Sequence, residues 1–215
     1  MPQVVFTLIS DGSSDRALLP ILRWLILQHL PNHAVQDKWA DFRRLRRPPK
    51  GLAERIKEGL HLYPCDLLFV HRDAENQDPA MRRREIADAM VRLRNDIEAP
   101  PPAVCVIPVR MMEAWLLFDE RAIRIAAENP SGMTTLGLPS LQRVESLPDP
   151  KSVLHEALRQ ANGSSGRRMK TFERRLGRAV HLIAERMEDF SPLRLLPAFQ
   201  SLEEDLKQRL AERRG

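Results

Sequence analysis

Cysteine is scarce in this sequence of 215 residues, and long apolar runs are absent. The two cysteines, Cys65 and Cys105, stand in apolar stretches with no CxxC spacing and no paired histidine. That excludes a cysteine-based zinc site and a disulfide framework, and it fits a chain of the reducing cytoplasm, with both thiols acting as small buried hydrophobes. The most apolar stretch, Leu18 to Leu30, is broken by Pro20 and Arg23. A membrane span needs about 20 predominantly apolar residues, so this stretch reads as a buried helix. The opening Met-Pro-Gln-Val-Val-Phe runs straight into a strand without a secretory pattern. P-loop, GxSxG and HExxH motifs are also missing, which leaves ATPase, α/β-hydrolase and zinc-protease readings without support.

What is present is a core-forming composition with clustered positive charge. Apolar residues make up 43% of the chain, enough for a buried core. The net charge is +5, and the basic residues are grouped. Arg43, Arg44, Arg46, Arg47 and Lys50 form one cluster, Arg82 to Arg84 a second, and Arg167, Arg168, Lys170, Arg174 and Arg175 a third. Such patches suit a polyanion such as nucleic acid, or they are solvated helix faces paired with nearby Glu, as in Arg-Arg-Arg-Glu at 82–85. Composition leaves both readings open.

The order of elements points to a doubly wound α/β sheet. Val4 to Ile9 reads as a strand that stops at Ser-Asp-Gly-Ser-Ser, and a helix follows from about Asp15 to Leu30, capped by Ser13 or Ser14. A short strand is expected around Trp39 to Leu45. Leu52, Ile56 and Leu60 share one face of a helix over 52–62. Asp66 to His71 is continuously apolar after its first residue, as in a parallel strand covered on both faces. A helix is expected from about Pro79 to Ile97, then a strand over Ala103 to Pro108, a helical turn over Met111 to Phe118 and a helix over Asp119 to Glu128. Residues 1–128 therefore read as an open, mainly parallel sheet flanked by helices. Residues 129–215 read as a loop excursion to about residue 150, then a helical C-terminal region over about 151–161, 167–189 and 192–213. Apolar stripes such as Leu202, Leu206 and Leu210 are suited to packing on the sheet domain, or to a homodimer interface.

Ligands of open α/β sheets bind beyond the carboxyl ends of the strands, and acidic residues follow two of them. Asp11 follows the first strand; Asp73 and Glu75 follow the third. Two residues apart in an extended segment, Asp73 and Glu75 point the same way. Carboxylates converging without a cation repel one another, and a hard-oxygen set of this kind suits Mg²⁺ or Mn²⁺. Asp11 is also an ordinary turn residue, Asp15 is better suited to capping than to lining a site, and His71, which shares the parity of Asp73, suits a structural hydrogen bond.

Asp11-Gly-Ser-Ser-Asp15 between the first strand and helix, and His71-Arg72-Asp73-Ala74-Glu75 after a later strand, resemble the acidic motifs of the Toprim family. The segment Val106 to Asp119, with Met111-Met112-Glu113-Ala114-Trp115, is similar to a signature of small bacterial Toprim-related proteins, some of them associated with an ATPase in anti-phage defence. The resemblance covers about residues 4–128. It implies that Asp11 acts as general acid/base or metal ligand, that Asp73 and Glu75 bind Mg²⁺ or Mn²⁺, and that Glu113 completes a catalytic cluster. Toprim proteins usually carry Glu first and Asp-x-Asp second; here the residues are Asp11 and Asp73-x-Glu75. With the single Tyr63 just before a strand and no zinc-binding segment, topoisomerase and primase readings fall away. The expectation is a small nuclease whose arginine clusters hold the backbone of the nucleic acid. The alternative is a non-catalytic nucleic-acid-binding or regulatory subunit of an ATPase-containing complex.

Overall fold

The computed structural model describes residues 1–43, 45–75 and 77–212. Four strands form one all-parallel sheet: β1 (Gln3–Ile9), β2 (Ala34–Trp39), β3 (Leu67–His71) and β4 (Ala103–Val106), in the spatial order β2-β1-β3-β4. The helices α1 (Leu18–His29), α2 (Leu52–Leu62) and α3 (Pro79–Leu93) make the crossovers between successive strands. The chain steps one way from β1 to β2, then returns past β1 to β3 and on to β4. Right-handed crossovers put α1 on one face and α2 and α3 on the other.

The two hydrophobic clusters follow that division. On the first face Phe6, Leu8, Leu67, Phe69, Val104 and Val106 meet Leu18, Ile21, Leu22 and Leu25 of α1. On the second, Ile9, Leu68 and Val70 meet Ile56 and Leu60 of α2 and Ile86, Ala89 and Leu93 of α3. Alternate residues of β3 thus enter different cores, and all five are buried. That is why its sequence shows no polar alternation.

Beyond residue 106 come a 3-10 turn (Met112–Leu116), α4 (Glu120–Ala126), α5 (Pro150–Asn162), α6 (Gly166–Glu173), α7 (Leu176–Arg186) and α8 (Pro197–Glu212). These helices complete the first core: Leu154, Ile183, Phe199, Leu202 and Leu206 belong to the same cluster as Phe6 and Trp115. Trp115 and Phe199 pack edge to face at 5.5 Å. Helix α8 also closes the β4 edge of the sheet. The outward Cys105 N–H donates to Asp205 Oδ2 at 2.8 Å, and Arg209 Nε donates to the outward Ala103 carbonyl at 3.1 Å. No helix among the described residues is long and apolar enough to cross a membrane.

Three local expectations are corrected. The second strand lies at Ala34–Trp39, not around Trp39 to Leu45; it is an edge strand with exposed and half-exposed polar residues, so its apolar signal is weak. The first helix opens with a 3-10 turn (Ser14–Ala17), and Ser13 makes no side-chain cap. The helix expected over 167–189 breaks into α6 and α7 at Arg174 and Arg175, letting both Phe172 and Leu176 turn into the core.

Candidate functional site at the carboxyl edge of the sheet

The direction of winding reverses between β1 and β3, so the crevice beyond their carboxyl ends is the topological switch point of the sheet. Two segments meet there: Ser10 to Ala17 after β1, and Arg72 to Glu75 after β3. The second remains extended because Arg72 N–H donates to the Val106 carbonyl and Ala74 N–H to that of Pro108, each at 3.1 Å. His71 and Asp73 therefore keep the parity of Leu67 and Phe69 and face the α1 side.

His71 is 2% exposed. Its Nδ1 lies 3.1 Å from the Val106 carbonyl, which can only accept, so Nδ1 is the protonated nitrogen and Nε2 faces the crevice. Nε2 stands 3.4 Å from Asp73 Oδ1 and 3.9 Å from Asp15 Oδ2, with no hydrogen bond to either. Asp15 is buried in the 3-10 turn, where its carboxylate accepts from Gly12 N–H at 2.8 Å and from the Ser14 hydroxyl at 3.2 Å. Glu113 approaches from the 3-10 turn after β4. It too is buried, with Lys151 Nζ of α5 at 3.7 Å.

The electrostatics single out Asp73. Its Oδ1 is buried with no hydrogen-bond partner. Burial raises the carboxyl from 3.8 to about 6; His71 opposes the shift, and the carboxylates of Asp15, Glu113 and Glu75 add to it. Burial likewise holds Glu113 above its ordinary range.

The other two acidic residues are engaged by arginine. Asp11, half exposed, is clamped by Arg55 Nη1 on one oxygen and by Arg72 Nη1, at 2.7 Å, on the other. Arg55 also donates to the Ser10 carbonyl. At Glu75 the backbone turns left-handed, with φ at +50°, which ends the two-residue parity. Its exposed side chain reaches Arg82 at 3.5 Å. Asp73 thus gathers with Asp15, Glu113 and His71, and Asp11 and Glu75 lie outside that group. Asp15, which the sequence favours as a cap, and His71, which it favours as a structural hydrogen-bonding residue, both stand beside Asp73; the turn after β1 and the parity of β3 are the signals that point to them. Lys151 carried no signal, because only the fold brings α5 to the crevice. Among the described residues no group of three or more His, Cys, Asp and Glu is arranged to hold a metal ion by itself.

The basic clusters take different places. Arg43 pairs with Asp41 through two hydrogen bonds, at 2.8 and 2.7 Å, and lies over the Trp39 ring. It borders a groove of about 280 Å³ that also reaches Ser10, Asp11 and Arg55. Arg46 and Arg47 are exposed, and Arg44 lies outside the described residues. Arg82 is structural: it is buried, and it bonds the Asp73 carbonyl at 3.1 Å and Glu85 at 2.9 Å. Arg167, Arg168 and Lys170 are exposed on α6. The two arginines line a groove of about 670 Å³ with Arg175, Asn162 and Ser164. That groove lies at the far end of α5 from Lys151, about 16 Å away at the rise of a helix. Compared with known proteins, the chain matches no family model, no curated protein and no solved structure.

Proposed function

We propose that the carboxyl edge of the sheet carries Mg²⁺- or Mn²⁺-dependent phosphodiester hydrolysis of nucleic acid, in keeping with the Toprim resemblance. The observation that carries this reading is Asp73, a carboxylate with a buried, unpartnered oxygen beside the carboxylates of Asp15 and Glu113 at the switch point of the sheet. An oxygen of that kind fits a hard cation, which offsets the burial, and with it the smaller carboxylate repulsion, that raises the carboxyl. Mg²⁺ is commonly held by one or two carboxylates and completes its shell with water and substrate phosphates, so a closed cage of protein ligands is not required. Asp73 would hold it, with Asp15 or Glu113 as the second ligand. When bound, the cation supplies charge neutralisation at the phosphate.

The chain's own residues do the rest. His71, fixed by the Val106 carbonyl, aims Nε2 at Asp73 and limits how that carboxylate turns. Arg72 and Arg55 hold Asp11, which ties the β1 turn to the segment after β3 and keeps the crevice in shape. Exposed Arg46 and Arg47 in the segment between β2 and α2, and exposed Arg167 and Arg168 on α6, offer contacts to the phosphate backbone.

One observation favours a second reading. The engagement of Asp11 by two arginines suits a non-catalytic nucleic-acid-binding subunit, working beside an ATPase partner, in which the acidic motif has become structural. Incubating plasmid DNA and a single-stranded RNA with the purified protein and Mn²⁺ or Mg²⁺ separates the two. Cleavage that is lost in Asp73→Ala supports hydrolysis; salt-sensitive binding without cleavage in either metal supports the binding subunit.

A further inference from the structure

Helix α7 packs directly on the 3-10 turn that carries Asp15. Adjacent residues of such a turn point in divergent directions. Asp15 faces His71, and Arg16 faces outward, into a groove of about 500 Å³ between the turn, α1 and α7. Arg178, His181 and Glu185, spaced along one face of α7, form the opposite wall. Arg23 and Asp37 close one end by pairing with each other.

The charges in this groove are not balanced. Arg16 and Arg178 are exposed and make no ion pair with any described residue; of the two carboxylates lining the groove, Asp37 is paired with Arg23, and Glu185 is left to oppose them. His181 sits between them with Nδ1 buried and without a partner. Burial, then Arg16, holds its pKa below the ordinary value, so the ring is neutral at neutral pH and keeps both a donor and an acceptor nitrogen. Two guanidinium groups and an imidazole around one concavity match the oxygens of a phosphate.

We infer that this groove is a phosphate subsite for the strand whose cleavage is proposed at the neighbouring acidic edge, with Arg16 and Arg178 gripping one backbone phosphate and His181 completing the contact. The inference rests on the reading of that edge as a phosphodiester site. It gives α7 a part in binding: the helical C-terminal region supplies half of the substrate grip as well as closing the core.

The test is binding of a fluorescein-labelled single-stranded oligonucleotide in EDTA, over a series of salt concentrations, by wild type and by the double variant Arg16→Ala/Arg178→Ala. Both side chains are exposed, so the variant should melt with the wild type. Loss of one phosphate contact should lower the salt slope by about 0.7 and weaken binding roughly tenfold near physiological salt. Arg178→Lys, which keeps the charge, should retain most of the slope. An unchanged slope and affinity in the double variant overturns the proposal. A second arm uses inorganic phosphate as the probe in thermal melts. If wild type binds no oligonucleotide but phosphate stabilises it and not the double variant, the subsite stands and the nucleic-acid reading of the acidic edge falls. If neither probe binds, the subsite is overturned as well.

Discussion

His71 Nε2 and Asp73 Oδ1 lie 3.4 Å apart in a buried crevice without a hydrogen bond between them. The Val106 carbonyl accepts a hydrogen bond from Nδ1–H, which leaves Nε2 as the ring nitrogen that faces Asp73. Asp73 meets that nitrogen with other carboxylates behind it, and its carboxyl is raised to about 6.

The direction of that shift fixes a stability prediction. A carboxyl whose folded-state pKa lies above its unfolded value binds more protons in the folded state. Stability is therefore fully present below the unfolded value, near 3.8, and is lost as pH rises through about 6. Asp73→Asn removes the ionisation and should stabilise the protein by about 2 kcal/mol near neutral pH, with the gain shrinking towards pH 4. Urea unfolding at a series of pH values checks it; a variant less stable than wild type near neutral pH contradicts the assignment of Asp73.

A cation and a proton compete for the same oxygen. Mn²⁺ or Mg²⁺ should raise the melting temperature of the wild type near pH 8 and lose most of that effect near pH 5, and EDTA should reverse it. Asp73→Asn should remove the metal-dependent rise, and Asp11→Asn should keep it, since Asp11 is held by Arg55 and Arg72. Equal shifts in wild type and Asp73→Asn would place the cation elsewhere.

The place of this site and two of its carboxylates, Asp73 and Glu113, are legible in the sequence; the rest is not, for physical reasons. The continuous apolar run of β3 marked a strand with two covered faces, and its end marked the crevice. Parity then carried His71 and Asp73 to one side correctly, but it required an extended backbone as far as Glu75, where the chain turns left-handed. The partners of Asp11 come from 44 and 61 residues away, separations that no local pattern reports. Asp15 looked like a capping residue, and it does accept a backbone N–H, that of Gly12, while also facing His71. The edge strand β2 lies at Ala34–Trp39, ahead of the apolar stretch that suggests a strand, because a strand with one neighbour carries little apolar signature.

Close packing of α2 on β1 gives a prediction on the opposite face. A Cβ at Gly59 would stand 2.3 Å from Ile9 Cδ1 and 3.4 Å from Phe42 Cζ. Gly59→Ala should cost roughly 1–2 kcal/mol net, despite alanine's higher helix propensity. Ile9→Val, which deletes the clashing carbon, should recover most of the loss in the double variant. Denaturant midpoints of the three variants decide it, and a double variant no better than Gly59→Ala contradicts the packing.

The closure of β4 by α8 gives another. Asp205→Ala leaves the Cys105 N–H without its acceptor and should cost about 1–3 kcal/mol, whereas Asp205→Asn keeps an acceptor and should cost less. The Cys105 thiol, pushed up to about 12 by burial first and Asp205 second, should react faster with a thiol reagent in Asp205→Ala. Alanine and asparagine variants of equal stability would show that α8 does not guard the edge through this bond.

The most direct measurement compares Mn²⁺-dependent cleavage of a nucleic-acid substrate by wild type, Asp73→Asn and Asp11→Asn under identical conditions. The proposed site predicts that Asp73→Asn loses about 100-fold or more of the rate while folded and stable, and that Asp11→Asn stays within about threefold of wild type. Undiminished cleavage by Asp73→Asn, or a collapse confined to Asp11→Asn, would contradict it.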